Sequence, residues 1–506
     1  MNFKLLISAA ICSALVAGCS SSSSSSSEVN DLEKINQVLE TNADIAYAAY
    51  SDSVTTAQQL KTALVALRQN PSAGTLQAAK DAWLVAREPY GQTEVYRFRS
   101  SPIDDDPTTT DAEDGPEGAI NAWPLGEALI DYVLVDIGNP NDDFNSDEIG
   151  TDHEVSGVSD PMDETAANTS GTDNIIGNTA IDLEADSNAN GIVDLLEASE
   201  AGDGHDVISG YHAIEFMLWG QDLNSSANLT TGADRAQAIK VHDAPSIASG
   251  GMRPVSDFGA GYANDVDYDP NDLTDRRHKF MEVVVDQLIA DLTSVRDQWA
   301  PANANNYRAG FTNASTLAEG KARLLEILTG MGTLAEGELA GERMQIALTA
   351  NSQEDEHSCF SDNTHRDIWL DAEGIANSYY GVYGGYDSNL DGTDDTGTTV
   401  NGYGIDDYLT EINQSSVADA VETELDEVEA GYTAIDTAAR NDAPFDVLIQ
   451  DINATAAAPV KTTIIELNAL STQIANIAVE LGLGDANDVV DPDASECDTS
   501  NPNSSC

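Results

Sequence analysis

The apolar residues Phe280, Val284, Leu288, Leu292, Val295 and Trp299 recur at spacings of four, four, four, three and four. Residues so placed share one face of a helix at 3.6 residues per turn, whereas a strand would scatter them over both of its faces. The same signature recurs along the chain. Leu60, Leu64 and Leu67 close a helical run over 28–68, and Asn70–Gly74 breaks it. A second helix is predicted over 75–98, with Pro89 imposing a kink or a restart. A short helix follows around 127–135, and another runs over 317–334 and on through Glu342, Arg343 and Met344. Gly330, Gly332, Gly337 and Gly341 mark close helix approach or breaks in that run. Ser416 caps a helix bearing Val417, Val421, Leu425 and Val428, and Gly482 ends one bearing Ile464, Leu467, Ile474, Ile477 and Leu481. No stretch sustains a period of two, so the predicted class is all-α.

With 506 residues the chain is long enough for two or three domains. Its 22 Lys and Arg against 88 Asp and Glu give a net charge of −66, which repels phosphate backbones and excludes nucleic acid as a partner. Such a surface suits cations or basic partners. At the N-terminus, Lys4 precedes the apolar run Leu5–Ala17, too short to span a bilayer as a mature helix. The run ends in Leu15-Val16-Ala17-Gly18-Cys19, which resembles a bacterial lipobox. Residues 1–18 then read as a signal peptide, Cys19 as the lipidation site and 19–28 as a serine tether. The expectation is a lipid-anchored protein of the bacterial envelope, on the outer membrane and facing the periplasm or the cell surface. In the polar tail 487–506, Cys497 and Cys506 are placed to form a disulfide, and Cys359 is expected to be buried.

Two acidic segments have the spacing of a calcium loop. Asp186, Asn188, Asn190, Ile192, Asp194 and Glu197 occupy positions 1, 3, 5, 7, 9 and 12, with Gly191 at position 6. Calcium takes six to eight oxygens, and this spacing wraps them around one ion in a structural role. Asp387, Asn389, Asp391, Thr393 and Asp395 repeat the pattern around Gly392, with Thr398 where the bidentate glutamate belongs. The alternative for the first is a chance match or a plain helix N-terminus at Asn190, and for the second a solvated acidic turn.

Three polar constellations interrupt the helical pattern. In Gly210–Gly220, His212 and Glu215 lie three residues apart on one helix face within an apolar run. Such a pair is either a metal-binding nucleus or a buried hydrogen bond joining two helices. Around the second helix, Arg87, Arg97 and Arg99 cluster in a chain with few basic residues, and Glu94 faces Arg97. Over 353–367, His357 and His365 stand among five acids and Arg366, around Cys359 and Phe360. Salt-bridged surface turns or a helix cap are the alternative readings of the last two.

The run Gly210-Tyr-His212-Ala-Ile-Glu215-Phe-Met-Leu-Trp219-Gly220 resembles the GxHxxE signature of the imelysin family. That family includes insulin-cleaving membrane protease and iron-regulated protein A types. Trp83–Phe98, Ile120–Leu125 and Gln353–His365 agree with it in the same order, over roughly residues 31–483. Gly126 departs from the acid expected after Trp-Pro-Leu, and the acidic insertions are longer than usual. The resemblance implies two helical bundles related as a degenerate repeat and packed side by side. They would be 29–220, carrying the acidic insertion 136–207, and 221–486, with the polar motifs gathered at the crevice between them. The pattern lacks the second helical histidine of a zinc peptidase, so other ligands must come from elsewhere. The expected metal set is His212, Glu215, Glu94, Glu356 and His357, supported by Arg97, Asp362, His365 and Arg366, with Glu354 a further candidate. An oxygen-rich set suits iron, or another divalent or trivalent cation, and the resemblance implies iron-uptake partner proteins. The alternative is a zinc metallopeptidase that uses His212 and Glu215.

Overall fold

Helix α1 (Ser24–Gln69) lies against α2 (Ala73–Gly91) along one side and α4 (Leu273–Gln298) along another. Leu60, Leu64 and Leu67 are buried, as is the whole Phe280–Trp299 stripe. The computed structural model describes residues 24–105, 115–121, 123, 125–131, 174–196, 207–220, 222, 250–351, 355–490 and 497–506. The signal peptide, Cys19, Glu197, Glu354 and most of the 136–207 insertion lie outside the described residues. The described chain is mainly helical, as the apolar periodicity requires.

Ser72 opens α2 with a capping box, its hydroxyl accepting from the Thr75 N–H at 3.2 Å. The helix continues through Pro89 but stops at Gly91 rather than Phe98, and Glu94–Tyr96 form a 3-10 turn. Crowding gives a physical reason. A Cβ on Gly91 would stand 2.6 Å from that of Leu370, so α2 meets a neighbouring helix there at backbone distance. That neighbour is α6 (Thr364–Tyr380), whose Gly374 approaches the Gln92 carbonyl equally closely.

Helix α3 (Gly210–Trp219) is buried along its whole length. Gly210 has φ +75°, and a Cβ there would fall 2.3 Å from the Ile120 carbonyl oxygen. The Trp83 indole N–H donates to the Tyr211 carbonyl at 2.8 Å, fixing α3 to α2. Helix α4, from the 221–486 half, packs on α1 and α3.

Thr316 and Glu319 form a capping box at the start of α5 (Leu317–Thr333). Beyond Thr333 the backbone widens into a π-helical stretch, Leu334–Ile346, within the run where the sequence pattern predicted a helix with close approach or breaks at its glycines. Gly337 and Gly341 put no side chain in the way of the wider turn, which delivers Glu338 and Arg343 to the polar centre. Helix α6 and the two-residue strands β1 (Val382–Tyr383) and β2 (Val400–Asn401), paired antiparallel, were not anticipated. Strands this short carry no alternation to read.

Helix α7 (Ser415–Ala439) starts one residue before Ser416 and has no side-chain cap, which corrects the expected capping role. It packs on α8 (Ala458–Leu481), which ends at Gly482 with φ +61°. Helices α5 to α8 pack together with the π stretch, α6 crosses α2, and α5 lies against α1. In the tail Cys497 and Cys506 form a disulfide, and Gln345 donates to the Asp498 and Ser504 carbonyls. Cys359 is buried outside any disulfide. Among the described residues no helix is long and apolar enough to cross a membrane.

Two of the positive-φ glycines, Gly210 and Gly482, make a comparison. Gly210→Ala meets both the left-handed backbone and a carbonyl, a cost of about 2–4 kcal/mol. At Gly482 nothing lies within 4 Å of an added Cβ, so Gly482→Ala carries only the backbone term of about 1–2 kcal/mol. Thermal midpoints should therefore fall further for Gly210→Ala, and equal shifts would contradict the packing described at α3.

Candidate functional site

The three-residue spacing on α3 sets His212 Nδ1 2.8 Å from Glu215 Oε2. The other Glu215 oxygen accepts from the Ser361 N–H at 2.9 Å and the Ser361 hydroxyl at 2.7 Å. Burial pushes the Glu215 carboxyl up to about 8, against the pull of the Ser361 bonds. Burial also holds His212 well below the usual imidazole range, helped by His357 and Arg87, so the ring is neutral. Its Nε2 is buried and meets no hydrogen-bond partner among the described residues.

His357 comes from the loop before α6 and stands edge-on to His212, with ring centroids 4.6 Å apart. Its Nδ1 lies 3.2 Å from Asp367 and its Nε2 3.5 Å from the Asn121 amide. Burial and Arg343 pull it down to about 4, so the second imidazole is neutral too. Trp123 stands edge-on to both rings.

Charge pairs between helices frame this centre. Arg87 on α2 donates to Asp367 on α6 at 2.9 Å, and also to Asn121. Burial pushes Asp367 up, but Arg87 and His357 outweigh it and hold the carboxyl well below its usual range. Arg366 grips Glu88 through two bonds of 3.0 and 2.7 Å. Glu94 accepts from Arg343 at 2.7 Å, Arg97 at 3.1 Å and Asn121 at 3.3 Å. Burial raises Glu94, but Arg343 and Arg97 prevail and bring it to about 2. Its charge is spent on guanidinium groups, and the Asn121 amide bridges it to His357.

Glu356 is near enough to Glu215 for the two carboxyls to repel each other. It is fully buried, and neither carboxylate oxygen has a hydrogen-bond partner among the described residues. Burial, then Asp446, Asp362, Asp222 and Glu215, pushes it well above the usual carboxylate range. Asp362, at φ +62°, is raised by burial, Asp446 and Glu215. His365 turns elsewhere, with Nδ1 2.9 Å from the Asp362 carbonyl and Nε2 3.6 Å from Asp436.

The structure thus brings His212, Glu215 and His357 together and sets Glu356 and Asp362 beside Glu215. Glu94, Arg97 and Arg366 serve the surrounding ion pairs. Among the described residues, no three His, Cys, Asp or Glu side chains are arranged to hold a metal ion. A cavity of about 310 Å³, lined by Arg97, Asn121, Trp123, Arg343 and His357 among others, opens on the His357 side. Sequence reasoning missed Ser361 as the clamp on Glu215 and Asp367 as the partner of Arg87, although both lie in the segment singled out. Asp371, Asp222 and Asp446 carried no local signal.

The two acidic loops share one geometry. Ser187 N–H donates to Asp194 at 2.7 Å and Ser388 N–H to Asp395 at 3.0 Å. Gly191 and Gly392 donate to the first-position carboxylates, Asp186 and Asp387, at 3.0 and 2.5 Å. The fourth residues, Ala189 and Leu390, are left-handed at φ +59° and +61°.

A pH signature follows from His357. Its folded value of about 4 lies below the unfolded imidazole value of about 6.5, so the unfolded chain takes up the proton first. The stability this residue contributes is present above about pH 6.5 and is lost as pH falls towards 4. His357→Gln should remove about 1.4 kcal/mol per pH unit of that slope. Denaturation curves between pH 4 and 7 read this directly, and parallel slopes for variant and wild type would refute a buried neutral His357.

The family model of imelysin (Peptidase_M75) matches residues 46–477. Iron-regulated protein A of Synechococcus elongatus is 35% identical over 81 residues, which is 16% of this chain and only 20% of that protein. A crystal structure of a Parabacteroides distasonis protein, designated an iron-regulated protein A precursor, superposes with a TM-score of 0.50 at 15% identity. That match covers 88% of this chain and 95% of the other, and the likeness concerns the fold. The family match takes in every polar element of the centre, from the Arg87 helix to the short Phe445–Ile449 helix that carries Asp446, and the chain belongs to the imelysin family.

Proposed function

We propose that this chain is an envelope protein that binds a metal ion, iron foremost, beside Glu215, through His212, His357 and Glu356. The observation that carries the reading is the stranded Nε2 of His212. A neutral imidazole whose Nδ1 is pinned to a carboxylate, here Glu215, has the arrangement metal-ligating histidines use, with the other nitrogen left to the ion. The unpartnered oxygens of Glu356 add hard donors from the opposite flank. Buried carboxylates that face one another stay charged only with a cation among them, and otherwise hold protons. A bound ion would supply that positive charge. Closing the shell requires side-chain movement or water, since no three donors among the described residues converge as the side chains stand.

A mixed nitrogen and oxygen set suits iron or another borderline cation. The names of the two iron-regulated relatives support iron. Glu94 serves as a supporting anion, neutralised by Arg97 and Arg343. The peptidase alternative that uses His212 and Glu215 needs the Glu215 carboxylate free to activate water. Both Glu215 oxygens are engaged, by His212 and by Ser361, which favours binding over cleavage. The lipid anchor at Cys19 and iron-uptake partner proteins belong to the same reading. So does structural calcium in the Asp186 and Asp387 loops.

Metal analysis of the purified protein should find about one iron per chain, weakened roughly tenfold or more by His212→Ala or Glu356→Gln. Undiminished retention in His212→Ala would defeat the proposal. Loading should release protons into a weakly buffered solution, because Glu356 gives one up as it takes the ion. Calcium should raise the thermal midpoint of wild type but not of an Asp186→Ala, Asp387→Ala double variant, whose iron content stays unchanged. A double variant that kept the calcium response would remove the two loops from the account.

A further inference from the structure

In a chain with 22 basic and 88 acidic residues, a buried guanidinium has carboxylates in plenty to choose from. The described buried arginines use them. Arg68, Arg87, Arg253, Arg277, Arg308, Arg343 and Arg366 each make an ion pair. Arg276 instead donates to backbone carbonyls of Ile175, Ile176, Asn178 and Ile181. Arg99 differs from all of them. It is 4% exposed and makes no ion pair among the described residues; its Nη2 donates to the Asn42 amide oxygen at 3.0 Å. Nε and Nη1 meet no acceptor.

The Arg99 guanidinium sits instead in an aromatic box. It lies 4.6 Å from the Tyr96 ring centroid and 5.7 Å from those of Trp299 and Phe311. Ring faces compensate part of the positive charge, but they offer poor acceptors to in-plane N–H groups. Two more donors are stranded in the same box, the Trp299 indole N–H and the Tyr307 hydroxyl. Trp299 touches both Tyr307 and Phe311, with centroids 4.9 and 5.6 Å away. Tyr307 and Phe311 also line a cavity of about 270 Å³, together with Arg323, Asn305 and Asn306. The acids that face this region are occupied or weakened. Glu326 is bound to Arg323 through one oxygen at 2.7 Å, while burial raises its carboxyl and the other oxygen has no partner among the described residues. Burial raises Asp104 to about 7.

Stranded donors around one cation call for a ligand rich in lone pairs. We infer that Arg99 and the Trp299–Tyr307–Phe311 wall form a binding site for a small oxyanion, a carboxylate or a phosphate, entered through the cavity past Arg323. The site shares no residue with the proposed metal centre, so its test stands whether or not iron binds. Arg97 and Arg99 divide the work of one segment, the first turning to Glu94 and the second to the box.

Isothermal titration of the full chain at low ionic strength, with inorganic phosphate and separately with succinate, tests this. At least one probe should bind saturably at one per chain, and which one binds tells a phosphate ligand from a carboxylate. Arg99→Gln should weaken binding about tenfold or more. Arg323→Gln should weaken it severalfold; that side chain is 39% exposed, so this variant remains informative if Arg99→Gln fails to fold. Absence of saturable binding by either probe would overturn the inference, as would affinity unchanged in Arg323→Gln and in any folded Arg99→Gln.

Discussion

The polar interior depends on Glu215. It is fully buried, receives the Ser361 backbone and hydroxyl on one oxygen, and engages His212 on the other. One carboxyl therefore ties α3 to the loop that precedes α6 and sets the tautomer and tilt of the imidazole. On the His212 side lie two neutral rings. On the Glu356 side lies a patch of carboxylates, where burial first and then mutual repulsion push Glu356 well above the usual carboxylate range. Glu215 is where a nitrogen-donor flank and an oxygen-donor flank meet.

The surrounding ion pairs position this junction. Arg87 with Asp367 and Arg366 with Glu88 both join α2 to α6, helices already brought together by Gly91 and Gly374. Buried pairs of this kind contribute little net stability against apolar replacements, because desolvation offsets their attraction. Their direction is what matters here: each fixes how α6 is rotated against α2, and so where His357 falls relative to His212. The π-helical stretch does similar work from the other side, carrying Arg343 to Glu94 and Asp371.

Much of the helical framework was legible in the sequence because an apolar stripe at 3.6-residue spacing is a local property. The Phe280–Trp299 stripe and the Gly482 stop are read directly from the residues. The His212–Glu215 pair was legible for the same reason, since both partners lie on one helix. Ser361 clamps Glu215 across 146 residues of sequence, and no local pattern announces such a bond. Helix α6 was obscured because its first turn is built of polar residues that face ion pairs rather than water. The 3-10 turn after Gly91 and the π stretch follow from tertiary crowding and from wide-turn packing. Neither shows in residue periodicity. Arg99 was noticed as one of three clustered arginines, but only its surroundings reveal that it makes no ion pair among the described residues.

The central claim, that an ion sits between the imidazole and carboxylate flanks at Glu215, is tested most directly by iron-edge anomalous diffraction from iron-loaded crystals. An anomalous peak about 2–2.5 Å from His212 Nε2 and within coordination distance of a Glu356 oxygen is the predicted result. Anomalous density confined to the Asp186 or Asp387 loops, with none at His212, would contradict it.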